Sequence, residues 1–210
     1  MKEYKLPIGC DVPETIILAD GDFPSHPLAL EWLRQCPYVV CCDGAANTYI
    51  RSGRMPEAIV GDGDSLLPDI KERYASLIHS EAEQETNDLS KAFRFCLSQE
   101  RKRITIMGAT GKREDHTIGN VSLLADYMEK EVSMMTDYGI FVPIREDSMF
   151  ESYIGQQISV FNMNSTALSA EGLAYPLSVF TNWWQGTLNE ALARHFIIRT
   201  EGKVLVFRVF

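Results

Sequence analysis

The sequence places two carboxylates one residue apart, in Ile59-Val60-Gly61-Asp62-Gly63-Asp64-Ser65. They follow an apolar run and sit among glycines. Like charges that converge raise each other's pKa, and one takes up a proton unless a cation lies between them. Mg2+ suits such a place: it is hard, prefers oxygen and typically uses one or two carboxylates plus substrate phosphates. Taken alone, the pair reads equally as a solvated Asp-Gly turn or as a metal site. Asp43, at the end of the run YVVCC, and Asp88, at the start of a helix, shift the balance to the metal. In an open parallel α/β sheet, ligands bind beyond the carboxyl ends of the strands. Parallel strands would therefore bring Asp43, Asp62, Asp64 and Asp88 to one rim. Gly63 permits the unusual backbone angles a tight turn there needs.

A second stretch, Gly108-Ala109-Thr110-Gly111-Lys112-Arg113-Glu114-Asp115-His116, is a Gly-rich passage from a strand into a helix. Backbone N–H groups in the loop and the helix N-terminus suit an anion. Lys112 and Arg113 add positive charge, and Arg can fork onto a phosphate. The stretch lacks the spacing and trailing Ser/Thr of a Walker loop. Asp115 also fits an N-cap. His116 reads as a packing or hydrogen-bonding residue rather than a metal ligand.

The elements that would carry these residues alternate. TIILAD (15–20), YVVCCD (38–43), AIVGD (58–62), RITIMGA (103–109) and EVSMMTD (131–137) read as strands. PLALEWLRQC, GAANTYIRSG, PDIKERYASLI, NDLSKAFRFCLSQ and DHTIGNVSLLADYM read as helices. Pro68 opens one helix, and Asn87 or Asp88 caps another, with Leu89, Ala92, Phe93 and Cys96 on one face. Alternation predicts a mainly parallel sheet covered on both sides. From about Tyr138 the pattern becomes short strands: GIFVPI, MFESYI, QQISVFN, HFIIRT and KVLVFRVF, with Glu201-Gly202 as a tight turn and NEALA as a short helical exception. The fold class expected is α/β, with a parallel α/β domain over 1–140 and a small antiparallel β-sandwich over 141–210. The adjacent Trp183 and Trp184 lie outside the strong strand runs; in a strand they would face opposite sides, so one at most would be buried and the other could cover a ring or a partner, with core and rim packing the competing reading.

The 210 residues are 45% hydrophobic, enough for a sizeable core, and carry a formal net charge of -9. That charge argues against a nonspecific grip on nucleic acid. No apolar run approaches the ~20 residues of a membrane span, and the N-terminus lacks the apolar core of a secretory signal. The odd count of five cysteines, without C-x-x-C, favours free buried thiols in a reducing cytoplasm. His26, His79, His116 and His195 show no metal-ligand spacing.

With these motifs in place, the chain resembles the thiamine pyrophosphokinase (thiamine diphosphokinase) family from about Ile16 to the C-terminus. The family's D-G-[AG]-A-N is Asp43-Gly44-Ala45-Ala46-Asn47, and its G-D-F-D-S is Gly61-Asp62-Gly63-Asp64-Ser65, with Gly for Phe. Its G-[AG]-x-G-x-R-x-D-H-x-x-x-N runs from Gly108 to Asn120, and its G-L-x-Y-P-L is Gly172-Leu173-Ala174-Tyr175-Pro176-Leu177. Two motifs depart from the family. K-D-x-T-D becomes Gln84-Glu85-Thr86-Asn87-Asp88, losing the lysine, and S-N-E becomes Leu188-Asn189-Glu190, losing the serine. The resemblance implies an α/β domain followed by a β-sandwich, and transfer of pyrophosphate from ATP to the hydroxyl of thiamine, giving AMP and thiamine diphosphate with Mg2+. It implies metal ligation by Asp62, Asp64 and Asp88 with Asp43 close by. Asp115 would orient or deprotonate the hydroxyl, and Arg113 would steady the polyphosphate. ATP would meet Asp43, Gly44, Asn47, Gly108, Thr110, Gly111, Lys112, Arg113 and His116. Thiamine would meet Asp115, Asn189, and Tyr175 or one Trp. The implied assembly is a homodimer, the sandwich of one subunit closing over the site of the other. A cationic substrate suits an acidic, aromatic-lined pocket.

Two other readings compete. An aspartyl-phosphate phosphatase would use Asp62 as nucleophile, Asp64 as acid and Ser65 on phosphate, but the sequence shows no convincing downstream lysine followed by paired aspartates. A non-catalytic nucleotide- or thiamine-binding dimer would tolerate loss of several carboxylates, which this chain retains.

Overall fold

The computed structural model describes residues 1–9, 11–81, 83 and 85–210. Cys10, the fifth expected thiol, and Gln84, the residue in place of the family's lysine, lie outside the described residues. The chain divides into two compact units: Gly9–Leu123 with Lys130–Asp137, and Met1–Ile8 with Leu124–Glu129 and Tyr138–Phe210.

In chain order the elements are β1 (Lys2–Tyr4), β2 (Thr15–Leu18), α1 (Pro27–Gln35), β3 (Val39–Cys42), α2 (Ala45–Arg51), β4 (Ala58–Gly61), α3 (Pro68–Arg73), β5 (Ile78–Ser80), α4 (Asp88–Ser98), β6 (Arg103–Met107), α5 (Glu114–Leu123) and β7 (Glu131–Met135). Then come β8 (Gly139–Ile144), β9 (Ser148–Glu151), β10 (Gln157–Asn162), β11 (Leu168–Glu171), β12 (Asn189–Glu190), β13 (His195–Thr200) and β14 (Val204–Val209).

In the first unit β2 to β7 form a wholly parallel sheet in the order β7-β6-β2-β3-β4-β5. Strands β2, β3 and β4 are buried along their whole length, as strands covered on both faces must be. Helix α4 contributes Leu89, Ala92, Phe93 and Cys96 to the core, the face its spacing predicts, and Asn87 caps it by accepting from the Ser90 N–H at 2.9 Å. The chain adds β3, β4 and β5 to one side of β2, then returns through α4 to place β6 on the other side. That reversal is a topological switch point, the place in an open parallel sheet where ligands bind beyond the carboxyl ends of the strands.

The second unit holds two sheets, β1-β9-β13-β11 and β12-β10-β14-β8, antiparallel except for the parallel pair β1–β9. Phe150 stacks on Phe196 and on Tyr4 at centroid distances of 5.0 and 4.8 Å. The buried Arg208 donates to the carbonyls of Glu151 and Lys5 and lies over the Phe150 ring; burial pushes its pKa down to about 10.

The α/β class and the antiparallel β unit are as expected, and three local readings are corrected. The run read as one helix from Pro68 ends at Arg73, passes through a 3-10 turn and becomes strand β5. NEALA is not helical: Asn189–Glu190 is β12, pairing with β10, and Ala191 bridges to Leu173. The run DHTIGNVSLLADYM is helical only as far as Leu123, where α5 ends. Trp183 and Trp184 lie outside the strands, in a 3-10 turn closed by a capping box between Asn182 and Gln185. Among the described residues no helix is long and apolar enough to cross a membrane.

Candidate active site

Asp43 follows β3 in a left-handed backbone conformation, φ 29°, which turns its carboxylate over the strand end. The Ser65 N–H donates to its Oδ2 at 3.1 Å. Its Oδ1 is buried and, among the described residues, has no hydrogen-bond partner. Burial pushes the Asp43 pKa up against the pull of the Ser65 amide, and the nearby Asp88, Asp64 and Asp62 add to the rise.

The loop after β4 is braced from below. Asn47 of α2 donates to the Ser65 carbonyl at 2.8 Å and accepts from the Leu67 N–H at 3.0 Å; Lys71 of α3 donates to the Gly63 carbonyl at 2.6 Å. Gly63 has φ 75°, the turn its type suggested. These ties bring Asp62 and Asp64 to Asp43, so that one ligand atom from each lies within 4.8 Å of the others. Unit charges at that distance repel by about 1 kcal/mol in water and about 3 kcal/mol at an effective dielectric of ~20. A buried carboxylate with one oxygen lacking a donor, beside two further carboxylates, fits a hard divalent cation. Among the described residues this trio is the group able to hold a metal; Asp88 stands beside it, its Oδ1 accepting from Lys91 at 3.2 Å.

Gly61 makes the convergence sterically possible. A Cβ there would lie 2.8 Å from the Cβ of Asp43 and 3.4 Å from the carboxyl carbons of both Asp43 and Asp88.

A cavity of about 530 Å³ opens next to the trio. Asp20 and Gly21 after β2, Asp43, Gly44 and Ser65, Asn87 and Asp88 at the start of α4, and Gly111 to Arg113 with Asp115, His116 and Asn120 line it. The cavity thus sits over the carboxyl ends of β2, β3 and β6, at the switch point. The Gly21 N–H donates to the Gly108 carbonyl at 2.6 Å and the Asp22 N–H to the Thr110 carbonyl at 2.9 Å, fastening the two loops together. Asn87 donates to Asn120 at 3.3 Å, and Asn120 donates to the Ala109 carbonyl at 2.9 Å, tying α4 to α5 across the wall.

Each cation at the mouth already has an anionic partner: Lys112 pairs with Asp20 at 3.1 Å, and Arg113 with Asp115 at 2.6 Å. Arg113 and the His116 N–H hold the Asp115 carboxyl below the usual range. All four side chains are exposed, so the pairs contribute little to stability and can open to an incoming polyanion.

Of the predicted residues, Asp43, Asp62 and Asp64 are brought together, and Asp43, Gly44, Asp88, Gly111, Lys112, Arg113, Asp115 and His116 line one cavity. Asn47 braces the loop instead of lining the cavity, while Gly108 and Thr110 act through backbone carbonyls. In the other unit, Asn189 is buried, its amide bonded to the N–H and carbonyl of Tyr175 at 3.1 and 2.8 Å; the Tyr175 ring is exposed. Asp20 and Lys91 were not foreseen. Asp20 ends TIILAD and obeys the same strand-end rule as Asp43; Lys91 carries no sequence signal, because lysine normally reads as solvent-facing.

The family profile described as thiamin pyrophosphokinase, catalytic domain matches residues 29–136, and thiamin pyrophosphokinase, substrate-binding domain matches 139–207. Thiamine pyrophosphokinase 1 of Oryza sativa subsp. japonica is 28% identical over 123 residues, covering 47% of each chain. Thiamine pyrophosphokinase of Bacillus subtilis (strain 168) is 34% identical over 86 residues, covering 39% of this chain and 40% of that one. The chain spans about half the length of the curated relatives it matches. Thiamin pyrophosphokinase from Candida albicans shares its fold with a TM-score of 0.80 at 17% identity, over 100% of this chain and 92% of that one.

Proposed function

Because the chain belongs to the thiamin pyrophosphokinase family, we propose that it transfers the pyrophosphoryl group of ATP to the hydroxyl of thiamine, giving thiamine diphosphate and AMP. The observation that carries this reading is the Asp43–Asp62–Asp64 trio beside a cavity walled by the Gly-rich β6–α5 loop.

The cavity takes the nucleotide. The N–H groups of the loop at Gly111 and Lys112 and the start of α5 face its phosphates. Lys112 leaves Asp20, and Arg113 leaves Asp115, to fork onto phosphate oxygens. The thiamine hydroxyl oxygen bonds to the β-phosphorus while the bond from that phosphorus to the α–β bridging oxygen breaks, and AMP departs with that oxygen. Asp115, released from Arg113, orients the hydroxyl and receives its proton. Asp43, Asp62 and Asp64 would hold Mg2+, with Asp88 adjacent, and the bound ion would supply positive charge against that developing on the phosphate oxygens. The chain's own contribution is alignment and fixed charge, the main levers for phosphoryl chemistry.

We assign residues 1–140 to ATP binding and catalysis, and 141–210 to thiamine binding and dimerisation. Asn189 holds the Tyr175 backbone so that the exposed Tyr175 ring can stack on thiamine. A homodimer brings that surface to the site of the neighbouring subunit. The free thiols of Cys36, Cys41, Cys42 and Cys96 suit a reducing cytoplasm.

Incubation with ATP, Mg2+ and thiamine, followed by chromatography, should yield AMP and thiamine diphosphate in equal amounts. Inorganic phosphate released from phosphoesters without AMP would overturn the reading in favour of the phosphatase, and nucleotide binding without turnover in favour of the binding dimer. Light scattering should give twice the chain mass.

A further inference from the structure

Lys91 is buried, its side chain only 3% exposed, one helical turn inside α4. Its ammonium donates to Asp88 Oδ1 at 3.2 Å, and Asp88 accepts this bond from below while remaining 36% exposed at the cavity wall. Taking an ammonium out of water costs several kcal/mol that an apolar residue of the same length would not. Packing alone therefore gives no reason for a lysine here. The position of Asp88 does. Its carboxyl carbon lies against Gly61, as does that of Asp43, yet among the described residues the metal-competent group is Asp43, Asp62 and Asp64.

We infer that Lys91 is a positioning residue: it restrains Asp88 and offsets one of four converging carboxylates, keeping Asp88 out of the metal trio of the free protein. The inference rests on the functional reading above for its consequence in turnover, and on the geometry alone for its consequence in metal binding. Four carboxylates closing on one ion would crowd out the phosphate oxygens that Mg2+ normally recruits. A carboxylate held by an internal cation stays at the rim, where it faces the substrate instead.

Two sets of measurements decide it. In the free protein, calorimetric titration with Mn2+ should show Lys91→Met binding the ion about three- to tenfold more tightly than wild type, since a positive charge is lost and Asp88 is released. Asp88→Asn should weaken Mn2+ at most about fivefold, against at least about thirtyfold for Asp62→Asn. In turnover, Lys91→Met should lower kcat by about 10- to 100-fold with KM for ATP nearly unchanged. In the Asp88→Asn background it should lower kcat no further than about threefold, because residues acting as one unit are not additive. Tighter metal with slower turnover is a combination that loss of packing does not produce. Weaker Mn2+ binding in Lys91→Met, or an additive loss in the double variant, would overturn the inference. Should Lys91→Met fail to fold, Asp88→Asn decides by itself: a loss of Mn2+ affinity equal to that of Asp62→Asn places Asp88 in the trio and refutes the claim. Should wild type make no thiamine diphosphate, the functional reading falls while the Mn2+ titrations still judge Lys91.

Discussion

Gly61→Ala tests whether the convergence of Asp43 and Asp88 matters, without removing either carboxylate. The new methyl would stand 2.8 Å from the Asp43 Cβ and 3.4 Å from both carboxyl carbons. The first distance is about 1 Å inside an ordinary carbon–carbon contact of roughly 3.5–4.0 Å. Asp43 cannot yield freely, because its amide is bonded to the Val60 carbonyl at 2.9 Å and its Oδ2 to the Ser65 N–H at 3.1 Å. Overpacking of this kind costs about 1–3 kcal/mol, beyond the backbone strain of a non-glycine residue at the Gly61 φ of 156°. At about 2–4 °C per kcal/mol for a chain of this size, the overpacking alone should lower Tm by about 2–12 °C. Displacing a site group by about 1 Å costs about 100-fold in rate, and Mn2+ affinity should fall with it. Gly53→Ala is the control: Gly53 has φ 82°, and no atom of the described residues lies within 4 Å of its added methyl. It should lose about 1–2 kcal/mol of stability through backbone strain alone and keep full turnover. Scanning calorimetry, Mn2+ titration and AMP formation measure the three effects. Wild-type turnover and metal affinity in Gly61→Ala would show that the placement of the two carboxylates around this glycine is irrelevant, and the site assignment would fail.

The trio itself is tested by Asp62→Asn and Asp64→Asn, each expected to cut turnover by about 100- to 1,000-fold. Each relieves like-charge repulsion, so Tm should hold or rise; a drop in Tm with retained activity would contradict the assignment. Asn47→Ala removes the bonds to the Ser65 carbonyl and Leu67 N–H, and should cost about 1–3 kcal/mol while raising KM for ATP more than it lowers kcat; an unchanged KM would mean that the loop needs no brace. Burial raises the pKa of Cys41 and Cys42 and pushes that of Cys96 up to about 12. In the folded chain at pH 8 these thiols should resist iodoacetamide until denaturant is added. Since an unfolded thiol titrates near 8.5, the unfolded state loses these protons first, and stability should fall as pH rises from about 8 toward 10; a constant denaturation midpoint over that range would contradict the assigned shifts.

What the sequence revealed depended on how local each signal was. The acidic ends of YVVCC and AIVG were readable because a buried parallel strand is a continuous apolar run, and its first polar residue marks the rim. The same rule identifies Asp20 at the end of TIILAD, yet no motif drew attention to it. β1 pairs with β9 nearly 150 positions away, Tyr4 beside Phe150; no local pattern encodes a partner that distant. NEALA has helical composition, but Asn189 is fixed by Tyr175 on one side and by Ile158 of β10 on the other, and Leu188 enters with φ 63°, so pairing overrides propensity. Lys91 shows the limit most clearly. Counting periodicity on α4 gives the apolar face Leu89, Ala92, Phe93 and Cys96, and a lysine between them reads as solvated. Only the folded geometry shows that this lysine is buried and paired with the carboxylate of Asp88.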